Sequence, residues 1–183
     1  PMEQPWRGSA KLSRMLTSVL RETFAGPPEI RLLAVPVIIC LAEPERPGRI
    51  TGLETQIADA IQTEFQTPFH QDSKIIAQGR VGIARALRYA QGLIYEHGIE
   101  PVVIAGTDSL LVGTSLTSYE DRERLLTEEN SNGFIPGEGA AAIVVKRPRA
   151  DTAFQLICTG IGEGVEQATV EAENIPLRAD GMV

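Results

Sequence analysis

Two cysteines and two histidines are the side chains here best suited to nucleophilic, acid–base or metal chemistry. Cys40 lies inside the apolar run Ile30–Leu41 and Cys158 inside Phe154–Cys158. Both read as buried thiols, inert because a reactive cysteine needs a nearby cation or helix end to hold its thiolate. His70 belongs to the polar stretch Phe69-His70-Gln71-Asp72, and His97 closes a helical pattern, where a cation meets the negative end of the helix dipole. Structural roles suit both. Zinc-type His/Cys spacing, a Walker loop and a G-x-S-x-G elbow are missing from the sequence. Gly160-Ile161-Gly162-Glu163-Gly164 begins like a dinucleotide fingerprint, but Val165 sits where the third glycine of G-x-G-x-x-G belongs, so a glycine-eased strand exit fits better. The most informative stretch runs from Pro101 to Arg147. It enters Ala105-Gly106-Thr107-Asp108-Ser109 and later reads Asn132-Gly133-Phe134-Ile135-Pro136-Gly137-Glu138-Gly139-Ala140 before an apolar run. Glycines 133, 137 and 139 would supply positive φ and close backbone approach, making a glycine-rich loop that feeds a buried strand.

The elements that must position these residues follow from periodicity. Leu12, Met15, Leu16, Val19 and Leu20 mark one helical face, ended by Gly26-Pro27-Pro28. Ile30–Leu41 is expected to be a strand buried on both faces, with Pro36 marking a bulge or the strand start. A loop over Pro44–Gly48 leads to a second helix with Leu53, Ile57, Ile61 and Phe65, then a short strand at Lys74–Ala77. Ile83, Leu87, Ala90 and Ile94 give a third helix, ended at His97-Gly98. Val102–Ala105 reads as a buried strand, Leu116–Leu126 as a charged, solvated helix, and Ala140–Val145 and Phe154–Cys158 as further strands. Helices alternating with buried strands predict an α/β layered fold with a largely parallel sheet.

Composition narrows the function classes. The 183 residues are 43% hydrophobic and 22% charged, ordinary for a globular chain with a real core. Seventeen basic against 24 acidic residues give a net charge of −7, the wrong electrostatic footprint for nucleic acid. No apolar run approaches the roughly 20 residues of a membrane helix. Two cysteines form no disulfide framework, so a reducing cytoplasm is expected. The chain opens at Pro1-Met2 and closes at Asp180-Gly181-Met182-Val183 as if entering another element, and is expected to be a segment of something longer.

The Pro101–Arg147 stretch resembles the β-ketoacyl-acyl-carrier-protein synthases of the thiolase superfamily. Their N-terminal half reads strand, A-G-G-x-[DE], helix, then D-G-F-x-x-G-E-G-A and an apolar strand. The counterparts here are Ala105-Gly106-Thr107-Asp108 and Asn132–Ala140, with Asp108, Asn132, Gly133, Phe134, Gly137, Glu138 and Gly139 in the motif positions. The second match is the specific one. The resemblance implies a thiolase-like α-β-α-β-α architecture with a mixed, mostly parallel five-stranded sheet, incomplete in this chain. Residues 1–150 would form the N-terminal half, without the family's opening strand, and 151–183 the start of the C-terminal half. That missing strand would belong between Ile30–Leu41 and Val102–Ala105, leaving a slot.

The family places a nucleophilic cysteine at the start of the helix before the A-G-G strand, where helix-end N–H groups stabilise thiolate and oxyanion. By resemblance that position falls on Val81, or on Arg80 when the count is anchored at Ile76-Ala77. Neither side chain can carry a thioester, and no cysteine lies between Leu41 and Ile157. Gln78 offers another correspondence, because a glutamine replaces the nucleophile in polyketide chain-length factors; it requires a gap in the alignment. Two functions follow as expectations: a synthase-like acyltransferase without the standard nucleophile, or a non-catalytic chain-length-factor-like or scaffold subunit. Neither implies a cofactor or a metal. The implied partners are acyl-carrier protein or an acyl thioester, and a second copy or related synthase subunit joined through Ser73–Gln78. A chance likeness on an unrelated α/β binding domain is the third reading.

Overall fold

The computed structural model describes residues 6–26 and 32–150. In chain order these form α1 (Gly8–Phe24), β1 (Val37–Leu41), α2 (Leu53–Phe65), β2 (Lys74–Ala77), a single 3-10 turn over Gly79–Val81, α3 (Gly82–Tyr95), β3 (Val102–Ser109), α4 (Gly113–Glu120) and β4 (Glu138–Val145). The strands make one four-stranded sheet in the order β2-β1-β3-β4, in which β2, β1 and β3 are parallel and β4 runs antiparallel to β3.

Alternation along the strands splits the core between two faces. Val37, Ile39, Leu41, Val103 and Ala105 point to the face covered by α1 and α2, where they meet Leu16, Leu20, Ile57 and Ile61. Ile38, Ile76, Val102 and Ile104 point the other way, onto Ala86, Ala90, Leu93 and Ile94 of α3. The four-residue spacing of Leu12, Leu16, Leu20 and Phe24 gives α1 its buried stripe, and Leu53, Ile57 and Ile61 do the same for α2.

Several expectations need correction. The run Ile30–Leu41 becomes a strand only from Val37. Leu32–Val35 is a turn whose Leu32 and Val35 are buried under the helices, so their apolarity reflects packing and not strand pairing. Pro36 marks the strand start, its carbonyl accepting the Val103 N–H at 2.9 Å. The strand expected over Val102–Ala105 runs on through Ser109, because β4 pairs it as far as Ser109↔Glu138. The charged helix expected over Leu116–Leu126 is shorter and earlier. It buries Ser115 and Tyr119 and ends at Glu120, and Glu123 takes a positive φ of 51° that an α-helix cannot accommodate.

The slot for a missing strand does not exist. β1 and β3 are hydrogen-bonded neighbours, with Val37↔Val103 through Cys40↔Gly106 in register. The sheet has four strands among the described residues, and its buried backbone groups at that position are satisfied by each other. The strand at Phe154–Cys158, Cys158 itself and Gly160–Gly164 lie outside the described residues.

Candidate functional site

In open α/β sheets, ligands gather outside the carboxyl ends of strands whose following segments leave to opposite faces. Here that point lies between β1, which leads to α2, and β2, which leads to α3 on the other face. The Glu43 carboxylate occupies it. A Cβ built on Gly79 would sit within 2.9 Å of the Glu43 Cδ and push that carboxylate aside, and the φ of +50° favours glycine.

Cys40 lies below this point. Its Sγ is 3.8 Å from where a Cβ on Gly82, the first residue of α3, would stand. On the opposite side Gly106 brings its Cα against the Cys40 carbonyl, 3.3 Å from a built Cβ. Two glycines as neighbours leave the thiol half-buried, whereas the apolar run around it predicts full burial. The same desolvation pushes the thiol pKa up. A cavity of about 470 Å³ opens beside it, lined by Cys40, Gly79, Ile83, Gly106, Asp108 and Ile143. The cavity is large enough for a small acyl-type ligand and mostly apolar, but its one thiol is held in the protonated form.

The residues expected to matter fall into three places. Gln78, Arg80 and Val81 sit immediately before α3, with Arg80 and Val81 exposed and the Gln78 Oε1 buried without a hydrogen-bond partner. Asp108, Glu138 and Gly139 meet at the carboxyl end of β3, where Asp108 pairs with Gly139 in register. Asn132, Gly133 and Phe134 belong to a separate loop packed on α4. There Phe134 meets the Tyr119 ring edge-on at 5.0 Å, and Gly133 lies so close to the Leu125 backbone that any Cβ would clash. Glycines 133, 137 and 139 do not adopt positive φ, contrary to expectation. Gly139 is extended within β4, and Gly137 offers its carbonyl to the Leu110 N–H at 2.9 Å.

Arg46 was not legible as a site residue, yet it organises this end of the sheet. Its Nη1 donates to Asp108 Oδ2 at 2.6 Å, and its Nη2 donates to Oδ1, which also accepts the Ser109 N–H at 2.7 Å. Desolvation works against the guanidinium charge, but the hydrogen bond and charge of Asp108 outweigh it and raise the Arg46 pKa. The Ser109 hydroxyl donates to Glu138 Oε2 at 3.0 Å, and Lys11 of α1 pairs with Oε1. The Lys11 hydrogen bond, then that of Ser109, holds the Glu138 carboxyl below its ordinary range. Only a lone arginine in the loop after an apolar strand hinted at this network.

Both histidines take local roles. His70 Nδ1 accepts the Asp72 N–H at 3.2 Å, and His97 follows α3, its N–H bonded to the Gly92 carbonyl at 3.3 Å. No group of three or more His, Cys, Asp or Glu side chains among the described residues is arranged to hold a metal. Among them also, no helix is long and apolar enough to cross a membrane.

No family model and no curated protein matches the chain. Solved structures similar to it include two of the ketosynthase type. One is a ketosynthase from module 6 of the bacillaene synthase of Bacillus subtilis 168, at 19% identity and a TM-score of 0.49, covering 74% of this chain and 26% of that one. The other is a 3-oxoacyl-(acyl-carrier-protein) synthase III, at 19% identity and a TM-score of 0.43, covering 76% of this chain and 37% of that one.

Proposed function

We propose that the chain is a β-ketoacyl-acyl-carrier-protein synthase-like protein that keeps an apolar acyl-type slot and lacks the nucleophile such enzymes acylate. The observation that carries this reading is the start of α3. Gln78-Gly79-Arg80-Val81-Gly82 offers no hydroxyl or thiol, and the one nearby thiol, Cys40, projects from β1 with its pKa raised. The motif segments that carry the resemblance support it further: Ala105–Asp108 and Gly139–Ala142 are separate in sequence but lie side by side in register.

The buried, unpartnered Oε1 of Gln78 directly before α3 favours the second reading, a non-catalytic chain-length-factor-like or scaffold subunit. Such a subunit would work with acyl-carrier protein or an acyl thioester and pair with a second copy or a related synthase. Among the described residues β2 is an edge strand, which leaves Ser73–Gln78 open to pairing. Ile76 itself packs against α3, so a substitution there would test folding and not the edge.

Incubation with malonyl and acyl thioesters followed by intact-mass measurement tests the shared claim. No stoichiometric acyl adduct should form once Cys40 and Cys158 are blocked. An adduct that persists would place a nucleophile elsewhere and defeat the proposal. Light scattering across a concentration series tests the pairing, which a strictly monomeric chain would exclude for identical copies.

A further inference from the structure

We propose that the free edge of β4 pairs antiparallel with the same edge of a second copy of the chain, in a register centred on Ala142. Among the described residues β4 is hydrogen-bonded to β3 on one side and has no strand on the other. Its eight residues, Glu138–Val145, include no proline and no charge beyond Glu138, and Ala141, Ile143 and Val144 are exposed. β2, at the opposite end of the sheet, is only four residues long and carries the exposed Lys74, two features that protect an edge. A long apolar edge without such protection is a template for another strand.

The sequence of β4 is complementary to itself when reversed. A two-fold axis normal to the sheet keeps the helical layers of both copies on the same sides, so residues that oppose one another must share a face. Ala142 packs into the core under α1 and α2, and Val145 packs on the α3 side, so the faces alternate along β4. Centring the pair on Ala142 satisfies this condition. It sets Gly139 against Val145, Ala140 against Val144, and Ala141 against Ile143, so each small residue meets a large one. It also sets Glu138 against Lys146, one residue past the strand, at both ends of the seam. Opposite charges and well-matched side chains directly across a ladder are what stabilise a strand pair. Centring on Ala141 also keeps the faces aligned, but it puts Glu138 against Val144 and loses both charge pairs. The apolar run Phe154–Cys158 of the same chain holds no charge to match Glu138 and Lys146, which favours a second copy as the occupant.

Cross-linking of the full 183-residue chain tests the register. With Cys40 and Cys158 replaced by serine, Ala140→Cys and Val144→Cys variants are mixed and oxidised. Directly opposed residues of an antiparallel pair have Cα atoms about 4.5–5.5 Å apart, within reach of a disulfide. A covalent dimer should form in the mixture. Either variant alone should stay uncross-linked, because its two cysteines would lie more than about 13 Å apart. Lys146→Glu, at an exposed position, should weaken the dimer about tenfold in light scattering, whereas Lys146→Arg should leave it intact. No cross-link in the mixture overturns the proposal, whether the chain is then a monomer with its own Phe154–Cys158 on the edge or a dimer through Ser73–Gln78. Equal cross-linking in the unmixed variants overturns it too, as does a Lys146→Glu dimer as tight as the parent. The acyl-adduct measurement and pairing at Ser73–Gln78 involve neither β4 nor Lys146, so failure of the synthase-like reading and failure of this one are separable.

Discussion

The two faces of the sheet are finished to different degrees. On one face α1 and α2 cover all of β1 and β3, and α1 reaches β4, where Ala142 joins the core. On the other face, among the described residues, α3 alone covers β2, β1 and the start of β3, and the small residues Gly106 and Ala141 leave the cavity beside Cys40 open. Ile83 of α3 and Ile143 of β4 border that opening and remain 45% and 47% exposed. Apolar residues on a sheet face are not evidence of burial; burial depends on whether a helix has enough width to cover them. One helix reaches three strands here, and the sheet has four among the described residues.

The largest test of this contrast is paired truncation. Leu16 is fully buried between α1 and the sheet, so Leu16→Ala should cost about 3–4 kcal/mol in urea unfolding. Leu93, nearly as deep in the smaller cluster under α3, should cost about 2–3 kcal/mol, because it lines the groove between β2 and α3, into which the site can relax. Equal costs would mean that the two faces are packed alike and would break the comparison.

The next largest effect concerns the pair that ties the loop after β1 to β3. Asp108→Ala leaves the buried Arg46 guanidinium without its partner. Removing one side of a fully buried pair costs about 3–5 kcal/mol, and the half-exposure of Asp108 reduces this to about 2 kcal/mol. A loss under about 0.5 kcal/mol would show that Arg46 finds water instead, and that this end of the sheet is looser than its geometry implies.

Most of the framework was legible in the residues, and the reasons are local. Leu53, Ile57 and Ile61 recur at helical spacing, and Lys74–Ala77 is bounded as a strand, so α2 and β2 fall where periodicity places them. The face of α3 was read less well. Ile83 fits the apolar stripe but borders the cavity beside Cys40, where the small residues Gly106 and Ala141 leave it 45% exposed. The strand order was not legible, because pairing depends on hydrogen bonds between segments far apart in sequence. That is why β1 against β3 contradicts the expected slot. The motif drew Asp108, Glu138 and Gly139 out of the sequence, and they lie together at the end of β3, whereas Glu43 and Arg46 beside them carry no sequence signal. A carboxylate packed on Gly79 and a guanidinium forked onto Asp108 have no spacing rule in sequence.

A smaller effect joins α1 to β4 on the well-covered face. The Glu138 carboxyl is held below its ordinary range, first by Lys11 and then by Ser109. A depressed folded-state pKa stabilises the fold at pH above the ordinary carboxyl value of about 4.3, and that contribution is lost as pH falls through the folded value. Glu138→Gln should therefore lower stability near neutrality by a few tenths of a kcal/mol, with the two proteins converging at acid pH. A constant difference from neutral to strongly acid pH would mean that packing, not charge, joins these elements.

The smallest expected change gives the sharpest reading of the open face. Ile143→Thr keeps a β-branched residue in β4, so strand preference is nearly preserved. It removes apolar surface from a side chain that is already 47% exposed. With the cavity left open by the described residues, the change should stay within about 0.5 kcal/mol in urea unfolding, and solubility should rise. A cost near 2 kcal/mol would be the behaviour of a buried isoleucine. It would mean that the cavity beside Cys40 is covered in solution, and that the two faces of the sheet are equally complete.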